Sequence, residues 1–308
     1  MESGQWNIEP DDEGQRLDAV LKRLCGLSNS RTRAAIASGK VFVNGERVFE
    51  EAARLPADAK LELRANAPNP VRTEPLGLRL VYRDEHLLVV DKPAGLVSAP
   101  IPDSDEQTAL HAAKRLARSG RPKNVHRLDN DTSGLLMFGL TAEATRALRR
   151  LIDNHEIHRV YRCVVAGVPK PPAAVVSSML LRDTGEGKRG SRPSTFKVRP
   201  LGTPDPGPMP GYGKLAITRY QTLLVRGERA ALEVWLSTGR THQIRIHLAE
   251  LGCPVIGERV YAKVPGAKRQ ALHAAKLSFQ HPITREALSF SSPWPDDLAE
   301  LQPRPAGW

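Results

Sequence analysis

One short segment combines chemically active side chains with a strand that would position them. In NVHRLDNDTSGLLMFG, residues 124–139, the side chains of His126, Arg127 and Asp129 stand directly before an apolar run. A short apolar run bounded by glycines predicts a buried strand. The carboxylate of Asp129 must therefore be solvated, paired or used in chemistry. The ordinary alternative is a surface turn capped by Asp129, with Arg127 solvated.

The elements around this segment fall into two blocks. Residues 1–65 predict two short helices and a small sheet, and Asn44–Gly45 is a strong hairpin signal. The stretch 66–75 has three prolines and no periodicity, which predicts a linker. Residues 76–308 predict a larger domain of mainly strands with a few helices.

Three further segments of the larger block are informative. Residues 142–152 predict a basic helix, and residues 242–251 predict a short amphipathic helix. Residues 183–214 are dense in glycine, proline, lysine and arginine. That composition predicts a mobile surface loop or an insertion.

Composition restricts the class of protein. The chain has 308 residues, 40% of them hydrophobic, and a net charge of +11. Such a balance indicates a polyanionic partner, with nucleic acid favoured over an anionic membrane surface. The N-terminal residues lack the basic start and apolar core of a signal peptide, and three isolated cysteines fit a reducing compartment. We therefore expect a cytoplasmic protein without a disulfide framework, a metal site or a membrane span.

Several motifs resemble one known family. The run HRLDNDTSGLLMF resembles the signature of the RluA-type RNA pseudouridine synthases, and STGRTHQIRIHLAELGCPVIGERVYA resembles their late motif. Shorter matches are VVDKPAGLVSAP, RVYRCVVAGV, GKLAITRYQTL and LHAAKLSFQHP. The first 50 residues resemble the RNA-binding domain first described in ribosomal protein S-four. The resemblance implies an α+β fold, with a mixed, mainly antiparallel catalytic sheet joined to a small α/β RNA-binding domain.

The resemblance also implies roles for particular residues. Asp129 takes the place of the family's nucleophile, Arg245 that of the cation that holds it, and Tyr161 that of the active-site aromatic. Converting uridine into its C-glycoside breaks one bond and forms another without adding an atom, so a carboxylate that attaches and leaves is suitable. Whether it adds to the base or to the ribose stays open. No cofactor is implied.

A second set of residues is expected to contact RNA. The target base must leave its stack, and Arg127 is a better candidate than His126 to fill the gap, because its flat, charged head stacks and meets phosphate. Further phosphate contacts are expected from six basic residues: Arg31, Arg33, Lys40, Arg146, Arg149 and Arg150. Arg240 and His242 are expected to bind RNA or to help extrude the base.

The sequence departs from the family pattern at a few positions. Arg159 stands where the family usually has lysine, Cys163 where it often has alanine, and Gly139–Leu140 where it has a small residue and a lysine. These changes are interpreted as conservative or peripheral. Glu258 replaces an aspartate, which we expect to alter a loop contact without affecting the catalytic groups.

Three hypotheses follow. The first is an RNA pseudouridine synthase, acting as a monomer on large-subunit ribosomal RNA or alternatively on transfer RNA. The second is a non-catalytic RNA-binding or ribosome-assembly factor, which predicts a lost nucleophile. The third is a two-carboxylate hydrolase, for which only Asp131 and Glu258 offer a second acid.

Overall fold

The chain folds into two compact units, one N-terminal and one that begins near residue 76. The computed structural model describes residues 3–37, 39–48, 50–65, 67, 76–100, 107–117, 120–182, 188–207 and 212–301. The predicted linker, 66–75, lies outside these ranges except at residue 67. Of the helices within these ranges, none combines the length and apolar character needed to cross a membrane.

The N-terminal unit combines two helices with a small antiparallel sheet. The elements are β1 (Gly4–Asn7), a 3₁₀ turn (Pro10–Asp12), α1 (Leu17–Cys25), α2 (Asn29–Ala37), β2 (Val41–Val43), β3 (Glu46–Arg47) and β4 (Lys60–Leu63), and the strand order is β1–β4–β2–β3. The predicted hairpin joins β2 to β3. It is confirmed by positive φ angles at Asn44 (52°) and Gly45 (83°), which a type I′ turn requires.

The larger unit is built on one extended sheet. Its strands are β5 (Arg79–Arg83), β6 (Leu87–Lys92), β7 (Lys123–Asn124), β8 (Ser133–Gly139), β9 (His158–Ala166), β10 (Ala173–Leu181), β11 (Gly190–Ser191), β12 (Lys197–Pro200), β13 (Lys214–Arg226), β14 (Arg229–Leu236), β15 (Leu272–Gln280) and β16 (Ala287–Ser291). Its helices are α3 (Ala109–Leu116), α4 (Ala142–Asp153) and α5 (Gln243–Glu250), with 3₁₀ turns at Pro193–Thr195 and Asp296–Leu301.

The order of strands is β11–β10–β13–β14–β9–β15–β8–β6–β5, with β12 on β10, β16 on β15 and β7 on β8. Among the described strands, each pairing is antiparallel except that of β8 with β15. The predicted α+β class with a mixed, mainly antiparallel sheet is therefore confirmed.

Strands β6 and β8 are buried on both faces of the sheet. Alternate residues enter two separate apolar clusters, one shared with α3 and the other with α4. Leu136 and Phe138 lie in the first cluster, whereas Leu135 and Met137 lie in the second. Burial on both faces explains why this strand is continuously apolar in sequence rather than alternating.

Two sequence predictions need correction. The segment predicted as a mobile loop or insertion contains β11, a 3₁₀ turn and β12 within its described residues, and both strands pair with β10. Helix α5 is buried through residues 243–248 and is not amphipathic. Its polar side chains tolerate burial because they are paired; for example, Gln243 Nε2 donates to the Ile217 carbonyl at 3.0 Å.

Candidate active site

The loop that carries Asp129 is held by hydrogen bonds on both sides of that residue. On one side, Ser98 Oγ donates to the Leu128 carbonyl (2.7 Å) and accepts from the Leu128 N–H (3.0 Å). On the other, the Asn130 carbonyl accepts from Lys92 Nζ (2.9 Å) and from the Gly95 N–H (3.0 Å). The backbone of the loop is thus tied to residues 92–98, which directs the carboxylate between the two attachments.

Lys92 is a residue whose role the sequence did not reveal. It is fully buried at the end of β6, and its ammonium also donates to the carbonyls of Pro93 (2.9 Å) and Leu96 (2.7 Å). Burial, followed by repulsion from Arg269, lowers the pKa of Lys92 to about 7. The sequence signal for this role was a lysine at the end of an apolar strand. A lysine buried there needs several hydrogen-bond acceptors for its ammonium, and nearby backbone carbonyls supply them.

Replacing Ser98 by alanine tests this attachment. The Ser98→Ala variant leaves the N–H and carbonyl of Leu128 without their partner in a buried position, so we expect it to lose about 1–3 kcal/mol of stability. Because Asp129 is then less well oriented, kcat should fall by about tenfold. Urea unfolding and single-turnover kinetics measure the two effects. A variant with a normal kcat would show that residues 92–98 do not orient the carboxylate.

A glycine and an arginine complete the support of the loop. Gly134 has φ 110°, and a Cβ there would lie 2.3 Å from the Ala274 carbonyl oxygen, so only glycine permits this approach of β8 to β15. Arg269 Nη1 donates to the Asp131 carbonyl (3.1 Å) and Nη2 donates to Ser133 Oγ (3.1 Å). The backbone of Asp131 is therefore held by Arg269.

Arg245 lies 116 residues from Asp129 in sequence and approaches it in the fold. Its Nη1 is 3.5 Å from Asp129 Oδ2, at the limit of a hydrogen bond. The arginine is 4% exposed, whereas the Asp129 side chain is 22% exposed. A buried cation thus contacts one oxygen of a carboxylate that remains accessible.

Glu258 fixes Arg245 in place. Its two oxygens accept from Arg245 Nε (2.7 Å) and Nη2 (2.8 Å), which is a bidentate pair. Burial is the largest single influence and opposes the charge on both side chains. Their hydrogen bonds and charge attraction together outweigh it, so the pKa of Arg245 is raised and that of Glu258 is lowered. The expectation that the departure at Glu258 alters only a loop contact was wrong, because this carboxylate pairs directly with Arg245.

His242 and Tyr261 form a second contact near Asp129. His242 lies just before α5 with φ 57°, and its Nε2 is 4.0 Å from Asp129 Oδ1. Its Nδ1 is 2.7 Å from the Tyr261 hydroxyl, and the Tyr261 ring centroid lies 5.4 Å from the Arg245 guanidinium. Burial lowers the pKa of His242, which favours the neutral ring. The structure therefore places His242 beside the carboxylate.

Tyr161 lies on β9, opposite Val234 and Ala274 of the neighbouring strands. It is 6% exposed. Burial raises the pKa of its phenol, and the charge of Asp129 contributes to the rise. At neutral pH the ring is therefore an uncharged, largely buried aromatic surface within electrostatic range of Asp129.

His126 and Arg127, which shortly precede Asp129, differ in their surroundings. Arg127 is exposed. His126 instead faces strand β8, and its Nε2 accepts from the Met137 N–H at 3.2 Å. Burial, together with the charge of Arg159, lowers the pKa of His126 to about 3. His126 thus attaches the loop to the sheet as a neutral ring, and of the two only Arg127 is free to extend outward.

This environment predicts an acid-sensitive contribution to stability. The pKa of His126 is lowered by folding, so the unfolded state binds the extra proton between about pH 3 and 6.5. The contribution is complete above pH 6.5 and decreases as the pH falls. We expect the wild type to lose about 1.4 kcal/mol more per pH unit in this window than His126→Gln. Urea unfolding from pH 4.5 to 7.5 measures this difference; parallel curves would contradict the assignment.

The remaining basic residues are mostly at the surface. Arg240 is exposed, and its Nε donates to the Leu215 carbonyl at 3.0 Å. In the N-terminal unit Arg31 and Arg33 are exposed on α2, with Arg33 in an ion pair with Glu51 (3.2 Å), and Lys40 is half-buried. The arginines of α4 are also exposed: Arg146, Arg149 and Arg150.

Taken together, the fold and the site define an enzyme in which one accessible carboxylate is oriented by a buried, anchored arginine beside a buried tyrosine. Residues 86–250 match the family model described as RNA pseudouridylate synthase. This chain belongs to that family.

Similar proteins span nearly the whole chain. It is 32% identical over 316 residues to ribosomal large subunit pseudouridine synthase D of Vibrio cholerae, covering 96% of this chain and 92% of that protein. It is 33% identical over 323 residues to the protein of the same name from Zymomonas mobilis, covering 98% and 97%. The fold is also similar to that of human RNA pseudouridylate synthase domain containing 1, with TM-score 0.54 and 24% identity over 73% of this chain and 86% of that one.

Proposed function

We propose that this protein isomerises uridine to pseudouridine in large-subunit ribosomal RNA, with Asp129 as the nucleophile. The observation that carries the proposal is the contact of Asp129 with Arg245, which Glu258 in turn holds. This arrangement places a buried cation against one oxygen of a partly exposed carboxylate and leaves the other oxygen free to attack.

The reaction balances without another reactant. The bond between N1 and C1′ breaks and a bond between C5 and C1′ forms, while C5 loses a proton and N1 of the rotated base gains one. Asp129 attaches to the nucleotide, either at C6 of the base or at C1′ of the ribose, and leaves when the new bond forms. Arg245 compensates its charge before and after each attachment.

Tyr161 is proposed to hold the extruded base. Its neutral phenol offers a face for stacking on the uracil, and the ring lies within electrostatic range of Asp129. Removal of the C5 proton is a second role open to the phenol oxygen. Arg127 is proposed to occupy the gap left in the RNA, because it is exposed two residues before the nucleophile.

The choice of RNA rests on the relatives. Both bacterial relatives are named as large-subunit ribosomal enzymes and match over almost their full length. We propose residues 1–65 as an RNA-binding domain like that of ribosomal protein S-four, 66–75 as a linker and 76–308 as the catalytic domain. Exposed Arg31 on α2 supports RNA contact by the smaller unit. We further propose a monomer that acts in the cytoplasm.

Pseudouridine maps test the proposal. Ribosomal and transfer RNA are mapped from cells with the gene, without it, and with an Asp129→Asn copy. We expect at least one site in large-subunit RNA to be lost in both altered strains. Loss confined to transfer RNA would show that transfer RNA is the substrate instead. Identical maps in all three strains would refute the activity.

A further inference from the structure

A buried arginine on β9 lacks a neutralising partner among the residues that the structure describes. Arg159 is 6% exposed, and its Nε has no hydrogen-bond partner among the described residues. Within the same part of the chain no carboxylate forms an ion pair with its guanidinium. Removing a cation from water without a partner costs free energy, so this side chain lowers the stability of the empty protein.

The guanidinium of Arg159 lies near two loops, the one that carries His126 and Asp129 and the one that carries Gly239 and leads into α5. A Cβ on Gly239 would be 3.0 Å from Arg159 Nη1, which places the guanidinium against the loop that leads into α5. The charge of Arg159 also acts on His126, in the loop of the nucleophile, and on Tyr161, two residues further along the same face of β9. Arg159 therefore lies against the loop that leads into α5 and on the same face of β9 as Tyr161. The departure from lysine at this position, interpreted as conservative or peripheral, thus adjoins the candidate site.

The surroundings identify the kind of group that Arg159 binds. An unpaired buried charge is neutralised by an anion, and the anions of an RNA substrate are its phosphates, whereas the carbonyls of uracil are uncharged. A guanidinium also matches a phosphate with two parallel hydrogen bonds. Exposed Arg127 and Arg240 flank the same two loops, so a phosphate here lies in a positive environment.

We propose that Arg159 binds a phosphate that flanks the extruded uridine, and so positions the nucleotide between Asp129 and Tyr161. This inference rests on the proposed function. In this arrangement the phosphate enters between the loop of His126 and the loop of Gly239. The two loops therefore share one ligand. The free energy lost by leaving the guanidinium unpaired is recovered when RNA binds.

Single-turnover kinetics on an RNA fragment around the mapped uridine test the proposal. The variants are Arg159→Gln, which removes the charge, Arg159→Lys, which keeps it, and Arg226→Gln, which removes an exposed charge at the far end of β13. We expect Arg159→Gln to raise the half-saturating RNA concentration by about 10- to 100-fold, with the maximal rate within about threefold of wild type. Arg159→Lys should recover part of the loss, and Arg226→Gln should match wild type.

Two further measurements separate binding from structure. Arg159→Gln should unfold at the same or a higher temperature than wild type, since it removes an unpaired buried charge. RNA in which one flanking phosphate is a neutral methylphosphonate, protected by 2′-O-methylation of the adjoining ribose, should bind wild type more weakly. For Arg159→Gln, the modified and the unmodified RNA should bind with equal affinity.

The outcomes distinguish this inference from the proposed function. If wild type fails to convert the fragment, the proposed function is wrong whatever Arg159 does. If wild type converts it, the inference is overturned by any of three results. These are an unchanged half-saturating concentration in Arg159→Gln, a loss of thermal stability in that variant, or wild-type binding that is insensitive to neutral linkages on both sides of the uridine.

Discussion

Asp129→Asn should abolish pseudouridine formation and leave RNA binding intact. Asparagine keeps the shape of the side chain but is not a nucleophile, so we expect the single-turnover rate to fall by at least about 10⁴-fold. The loop should keep its conformation, because its attachments run through the backbone of Leu128 and Asn130 rather than through the Asp129 side chain.

Asp131→Asn is the matched control for this prediction. It makes the same chemical change two residues further along the loop, where the backbone carbonyl, and not the carboxylate, contacts Arg269. We expect its rate to stay within about threefold of wild type. RNA binding measured by filter retention should be equal for both variants. A residual rate in Asp129→Asn comparable with that of Asp131→Asn would exclude Asp129 as the nucleophile.

The second large effect concerns the pair formed by Arg245 and Glu258. Arg245→Met leaves Glu258 as a buried carboxylate without its cation, and breaking a buried pair in this way costs about 3–5 kcal/mol. It also removes the cation that contacts Asp129, so we expect the rate to fall by at least about 10³-fold. Urea unfolding and single-turnover kinetics report the two losses separately.

A double variant separates stability from catalysis. In Arg245→Met/Glu258→Gln neither member of the pair carries a charge, and the amide oxygen of glutamine still accepts from the N–H groups of Val260 and Tyr261. We expect most of the lost stability to return while the reaction stays abolished. Recovery of activity along with stability would mean that Arg245 serves the fold alone.

Local features of the chain were determined by the sequence. The apolar run 135–138 predicted a buried strand, and Asn44–Gly45 predicted a hairpin, because both depend on near neighbours and on backbone preferences. The types of residue around Asp129 also indicated the family. The sequence did not predict that 188–207 contains strands, because glycine, proline and lysine usually mark loops, and here pairing with β10 overrides that tendency.

The partners of the charged side chains were decided only by the tertiary structure. Three features depend on contacts between distant segments. They are the pairing of Arg245 with Glu258, the attachment of the Asp129 loop by Lys92 and Ser98, and the burial of Arg159 without an ion-pair partner among the described residues. Periodicity states which face of a strand or helix is buried, but not which group from another segment meets it there. A buried charge is costly or useful according to that partner, so these roles follow from the folded structure.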